Sequence, residues 1–186
     1  LRRARGMGWD LTGVEPSRSA CALALEYFGL NIVPGTLGEA AFPSQSFDVV
    51  TLVDVFEHLE QPMPLLREIH RVLKPNGLVF IKVPNIVYYL AKYRVARAMG
   101  IETEIFDAKE HVAHYSCHTL GRTLRRAGFG IERWFVPRPI QDGATWKKAL
   151  RSIGHSAARA EFATTRRFGP LAMDLAVLAR STEPTA

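Results

Sequence analysis

The chain is poor in cysteine, in long apolar runs and in repetition. Only two cysteines occur among 186 residues, Cys21 and Cys117, too few for a disulfide framework and not spaced as a metal-binding pair. They read as buried thiols of a reducing compartment, which sets the expectation of a cytoplasmic protein. No apolar run approaches the roughly 20 residues that a membrane-spanning helix requires, so no membrane partner is expected. The N-terminal stretch from Leu1 to Asp10 is basic and carries neither the apolar core nor the small-residue cleavage site of a signal peptide. No internal repeat or low-complexity tract is visible. A chain of this length suits one domain, expected over residues 1–180, with a short tail at 181–186.

Acidic residues are in the minority, 18 against 24 lysines and arginines, for a net charge of +6. Much of the basic excess lies beyond residue 120, at positions such as Arg122, Arg125, Arg126, Arg133, Arg138, Lys147 and Lys148. These alternate with apolar residues at helical spacing, as a solvated helix face does. No nucleic-acid motif accompanies them, and no nucleic-acid partner is expected.

What the chain does have is concentrated in Phe47–Asn85. Two apolar, β-branched-rich runs, Val49–Val53 and Leu78–Val83, flank an acidic-histidine step at Glu57-His58 and a helical pattern, Met63–Leu73. That helix is expected to stop at Gly77. Strand, crest, helix and second strand make one right-handed parallel crossover. Leu78–Val83 is broken only by Lys82 and is expected in the middle of a parallel sheet. In an open sheet of this kind, ligands sit at the carboxyl ends of the strands.

Around this unit the expected elements alternate. Leu1–Met7 reads as the end of a helix and Asp10–Val14 as a short strand. Ser17 caps a helix over Arg18–Phe28 that Gly29 closes. Asn31–Val33 is a brief strand before Gly35-Thr36-Leu37. Tyr88–Met99 reads as a helix or lid, and Ser116 caps a helix running to Ala127. Ile131–Val136 is a strand, Ala144–Phe162 an amphipathic helix with Trp146 and Leu150 on its apolar side, and Leu171–Ala179 a last strand antiparallel to Ile131–Val136.

Glu15 follows the first strand directly. A carboxylate there can accept hydrogen bonds from both hydroxyls of a ribose. It can equally cap the following helix, and the same placement suits a dinucleotide-dependent enzyme. An imidazole ordinarily titrates near neutrality, so His58 can be expected to act as a base or to brace its loop.

The order of these blocks resembles the class I S-adenosylmethionine-dependent methyltransferases, in wording closest to the broad bacterial small-molecule type that includes quinone O-methyltransferases. The resemblance rests on Glu15 ending a strand, on Gly35-Thr36-Leu37, on the FDVV…EHL pattern of Phe47–Leu59, and on Arg71–Gly77. The segment from His111 to Phe129 also matches the family's penultimate helix and its entry. The fold it implies is α/β: a Rossmann-like, mostly parallel twisted sheet, helices on both faces and an antiparallel last strand. The cofactor it implies is S-adenosylmethionine, with Glu15, Pro16 and Ser17 around ribose and adenine, Thr36 and Leu37 at the adenine edge, and Leu52, Val53 and Val55 as the floor. Methyl transfer to an O- or N-nucleophile of a small-molecule acceptor is the function it implies.

On the acceptor side the expected catalytic residues are His58 and His111, with Asn85, Tyr88, Tyr89 and Tyr115 binding substrate. His114 could join this cluster or pack beneath the next helix. Asp54, Glu57 and His58 could instead share a divalent cation, but no fourth ligand is apparent and no metal is expected.

A member of this family opens with a strand and a Gly-x-Gly-x-Gly turn. Neither precedes Asp10, and Gly6-Met7-Gly8 leads into a strand rather than a helix. The missing strand would lie at the sheet's centre, between those ending at Glu15 and Val53, leaving unpaired backbone on both sides. The expectations are a fragment of a longer coding sequence, a homodimer that closes the open position, or a non-catalytic relative serving as an interaction or regulatory domain.

Overall fold

The apolar run expected in mid-sheet is β4 (Leu73–Pro84), flanked on both sides by other strands. The computed structural model describes residues 1–2, 4–102, 111–138 and 145–182, with backbone alone at 145–150. In order along the chain the remaining elements are β1 (Val14–Glu15), α1 (Arg18–Phe28), β2 (Val33–Pro34), β3 (Phe47–Val53) and a 3-10 turn (Phe56–His58). Then come α2 (Pro62–Val72), α3 (Ile86–Ala98), α4 (Cys117–Arg126), β5 (Phe129–Phe135), α5 (Thr145–Thr165) and β6 (Asp174–Ser181). No helix among the described residues is long and apolar enough to cross a membrane.

The sheet is mixed, in the order β3-β4-β6-β5, and β1 and β2 pair separately as a two-stranded parallel unit. β3 and β4 run parallel, whereas β6 is antiparallel to both β4 and β5. The antiparallel last strand is as expected. So is the separation of β1 from β3, which leaves each of them hydrogen-bonded to a single neighbour among the described residues.

Alternation along β4 and β6 builds the core. Val79, Ile81 and Val83 are fully buried and lie opposite Ala179, Val177 and Leu175 in register. Leu66 and Ile69 of α2, Leu120 and Leu124 of α4, and Phe129 complete the same cluster. The spacing of Leu66, Ile69 and Val72 places all three on one face of α2, so a single helix side is sealed against the sheet.

Local signals placed α1 well. Ser17 Oγ accepts from the Ala20 amide at 3.3 Å, and Gly29 takes the left-handed conformation that ends the helix. Elsewhere the boundaries moved. In the stretch expected to end a helix, Ala4–Gly8 forms turns instead, because Gly6 and Gly8 adopt φ of 82° and 79°. α2 stops at Val72 rather than at Gly77: Leu73 is already extended and pairs with Phe47. Pro75 disfavours helical geometry at Lys74. The pairing then skips from Leu73 to Leu78, so Lys74–Gly77 bulges out of the ladder. Glycine is required at 77, since a Cβ there would lie 2.9 Å from the Lys74 carbonyl.

β6 continues through Ser181, which pairs with Phe129 and is buried, so the strand extends into the expected tail. Residues 183–186, Ala144, and the side chains of Trp146, Lys147, Lys148 and Leu150 lie outside the described residues.

Candidate active site

The crest after β3 gathers most of the chemistry. Asp54 turns the chain in the left-handed region, φ 54°, and its amide donates to the Lys82 carbonyl at 3.2 Å. The 3-10 turn follows, separate from α2, so Glu57-His58 does not open that helix as expected. Phe56 is fully buried against Tyr115, with ring centroids 5.2 Å apart. The Ala113 amide donates to the Glu57 carbonyl at 3.0 Å, which ties the segment after residue 110 to the crest.

This tie brings His58 and His111 together, ring centroids 5.1 Å apart, with His114 6.4 Å from His111. Glu57 lies beneath them, only 2% exposed. One ligand-capable atom from each of Glu57, His58 and His111 falls within 4.8 Å of the others. Burial pushes the Glu57 carboxyl above its ordinary range and the charge of Asp54 adds to this, outweighing its backbone hydrogen bond and the two histidines. Asp54 is not part of the group, because the Lys82 ammonium holds its carboxylate at 2.6 Å.

Lys82 also reaches Asp174 at 3.4 Å, so one ammonium neutralises carboxylates at the ends of two strands. Burial works to lower the Lys82 ammonium, but the hydrogen bond to Asp54 and the Asp174 charge more than reverse it. Burial raises Asp174 despite Lys82. Tyr89 stands beside this trio, its hydroxyl pushed up by burial and then by Asp174. Tyr88 meets Tyr89 edge-on at 5.3 Å, and both are half-buried. Sequence reasoning missed Lys82 and Asp174 as site residues. The one available signal was a lysine interrupting an otherwise apolar central strand.

Two of the expected substrate residues are structural. Asn85 is fully buried. Its amide nitrogen donates to the carbonyls of Ala172 at 2.8 Å and Gly169 at 3.2 Å, and its Oδ1 accepts from Val87 to cap α3. With both ends of the amide consumed, Asn85 clamps the loop before β6. Tyr115 is 7% exposed and packs in the core against Phe56. Neither side chain faces an open site, whereas Tyr88 and Tyr89 remain placed to meet an acceptor.

The expected cofactor residues divide in the same way. An open cleft of about 330 Å³ lies between the carboxyl ends of β1 and β2, lined by Pro16, Arg18, Pro34, Gly35 and Glu39. Glu15 immediately precedes the lining residue Pro16, and its Oε1 accepts from the Ser17 amide at 2.9 Å. Ser17 is occupied as the α1 cap. Thr36 donates both its amide, at 2.7 Å, and its hydroxyl, at 2.9 Å, to Glu39. That pairing holds the Glu39 carboxyl below its ordinary range. Leu37 and Leu52 pack against the core, while Val53 and Val55 at the crest are 50% and 41% exposed. Glu15, Pro16, Val53 and Val55 therefore present surface to a ligand, and Ser17, Thr36, Leu37 and Leu52 serve mainly the frame.

Replacing Lys82 by Met tests the paired carboxylates. Without the ammonium, Asp54 and Asp174 repel and Asp174 is driven further up. An acid with a raised native pKa destabilises the fold above that pKa and ceases to do so once protonated. The expected loss in urea unfolding at pH 7 is about 2 kcal/mol, reduced from the fully buried case because Asp54 is half-exposed. It should shrink as the pH falls toward about 4, the ordinary carboxylate range. A deficit that stays constant across this window would show that Lys82 acts through packing alone.

Comparison with known proteins returns mainly methyltransferases, although one solved neighbour of similar fold is named a [4+2]-cyclase. The family described as methyltransferase domain matches residues 1–133. A protein of Mycolicibacterium smegmatis named as a probable S-adenosylmethionine-dependent methyltransferase is 29% identical over 131 residues, 70% of this chain and 45% of that protein. The ubiquinone biosynthesis O-methyltransferase of Pseudomonas paraeruginosa is 44% identical over 39 residues, 21% of this chain and 17% of its own. A solved S-adenosylmethionine-dependent methyltransferase from Methanosarcina mazei superposes with TM-score 0.62 at 14% identity, covering 95% of this chain and 84% of that one. The last likeness establishes the fold alone. The chain spans less than half the length of the curated relatives it matches first.

Proposed function

The chain belongs to the class I S-adenosylmethionine-dependent methyltransferases, and from that premise we propose that it binds S-adenosylmethionine at the ends of β1, β2 and β3 and supports methyl transfer to an O- or N-nucleophile of a small molecule. One observation carries the reading. The residues of the site lie at the carboxyl ends of parallel strands: Glu15 ends β1, Gly35 follows β2, Asp54 follows β3 and Lys82 approaches the end of β4.

The cofactor supplies a methyl group on a positively charged sulfur. The residues present fit it in two respects. The Ser17 amide fixes the orientation of the Glu15 carboxylate, and each carboxylate oxygen can accept more than one bond, so a ribose diol can still be gripped. The cleft between β1 and β2 offers apolar Pro16 and Pro34 to an aromatic base. On the acceptor side, Tyr88 and Tyr89 give a planar surface, and His58 or His111 accepts the proton that the nucleophile loses. Positioning and exclusion of water account for most of the remaining rate.

A non-catalytic, methyltransferase-like interaction domain is the competing reading. It is favoured by Ser17 and Thr36, whose polar groups are consumed within the fold. Calorimetry with S-adenosylmethionine separates the two. The Glu15→Gln variant keeps an acceptor for the Ser17 amide but loses the charge. It is expected to bind at least about tenfold more weakly, close to 1.4 kcal/mol. A wild-type chain that does not bind, or a variant that binds equally well, contradicts the assignment.

A cytoplasmic location completes the reading, supported by the free thiols of Cys21 and Cys117. The single-sided pairing of β1 and β3, with Val53 and Val55 exposed beside it, supports a homodimer through the open position. Sedimentation is expected to show dimer at micromolar concentration, and a strict monomer there would count against it.

A further inference from the structure

We propose that Glu57, His58 and His111 form a binding site for a divalent transition-metal cation, for which Zn2+ is the reference ion. The three residues come from two segments distant in sequence, yet their ligand atoms already lie within 4.8 Å of one another. Around a tetrahedral zinc ion with nitrogen and oxygen ligands, neighbouring donors stand about 3.3 Å apart. His58 is exposed, so rotation of its ring can close most of the difference.

The second observation is the state of Glu57. The residue is 2% exposed, and its Oε2 is buried with no hydrogen-bond partner among the described residues. Burying a carboxylate oxygen without a partner is costly, and native structures rarely leave such an atom unsatisfied. A cation between that oxygen and the two imidazoles removes the deficit. The arrangement is also fixed rather than a chance approach of loose chain. The Ala113 amide bonds the Glu57 carbonyl at 3.0 Å, and Phe56 packs on Tyr115, so the segment after His111 is tied to the crest at two points.

The donor set selects the ion. Asp54, the nearest other carboxylate in sequence, is drawn away to Lys82 at 2.6 Å, leaving two imidazoles and one carboxylate. Imidazole nitrogen suits zinc, copper, iron and nickel, whereas magnesium and calcium demand oxygen ligands. Three protein ligands also leave a coordination position open at the crest. If methyl transfer occurs as proposed above, an acceptor hydroxyl on that position would lose its proton more readily, and the ion would take over the part given there to an imidazole base. That role rests on the proposed function, but the binding itself does not.

The test uses the untagged full chain, stripped of metal with a chelator. Zn2+ is followed by calorimetry and Co2+ by its visible absorption. Micromolar or tighter affinity is expected for both, with a Co2+ spectrum showing nitrogen coordination. His58→Ala and His111→Ala, which truncate rings at the surface, should each weaken Zn2+ binding at least tenfold, and Glu57→Gln should do the same. Asp54→Asn should stay within twofold of wild type, and millimolar Mg2+ should not compete. Wild-type affinity no greater than that of the His58→Ala/His111→Ala double variant would overturn the proposal, as would a loss in Asp54→Asn equal to that in His111→Ala. S-adenosylmethionine calorimetry on the same samples keeps the two ideas separate, since either ligand can bind without the other.

Discussion

The double pairing of β4 governs where everything else can be. On one side it runs parallel to β3, in register from Val49–Leu78 to Val53–Lys82, and on the other antiparallel to β6. The parallel pairing puts the ends of β3 and β4 at the same edge, so Asp54 meets Lys82. The antiparallel pairing brings the start of β6 to that edge too, which delivers Asp174 to the same ammonium. One apolar strand, buried through Val79, Ile81 and Val83, thus assembles a charged trio from three elements. The hydrophobic face fixes the register, since a one-residue slip would turn Lys82 into the core and Ile81 out of it.

Stability and site chemistry pull against each other at this edge. Asn85 spends its whole amide on clamping the loop before β6, and the fold gains from it. Glu57 does the reverse. Its backbone carbonyl is well used, but its Oε2 is buried without a partner among the described residues while its neighbours are acidic Asp54 and two imidazoles. Core residues are ordinarily satisfied, and a carboxylate kept in this condition beside two histidines points to a ligand rather than to packing. The edge therefore contains one polar residue devoted to the frame, Asn85, and another, Glu57, whose Oε2 has no partner among the described residues.

Much of the frame could be read in the chain because its signals are local. Ser17 and Gly29 mark both ends of α1, and the apolar spacing of Leu66, Ile69 and Val72 gives α2 its buried face. The strand at Phe47–Val53 needed only its β-branched composition and flanking turn residues. The helix assigned to Leu1–Met7 failed for the opposite reason, having no cap and two glycines that take left-handed geometry. At the site, legibility ended where contacts became distant. Nothing near Tyr115 reveals that Phe56 will cover it, and nothing near Asn85 shows that carbonyls at 169 and 172 will claim its amide. His58 and His111 were each visible as titratable groups. Their meeting depends on one amide, that of Ala113, reaching the Glu57 carbonyl.

The proposed placement of a nucleoside at the carboxyl ends of β1, β2 and β3 can be tested residue by residue. Titrating S-adenosylhomocysteine into the isotope-labelled chain and following backbone amide shifts by NMR is the most direct measurement. Shifts concentrated at Val14, Glu15, Gly35 and Val53–Val55 are the expected result. Shifts confined to α4 and β5, or absent from the ends of β1 and β3 while binding is saturated, would contradict it.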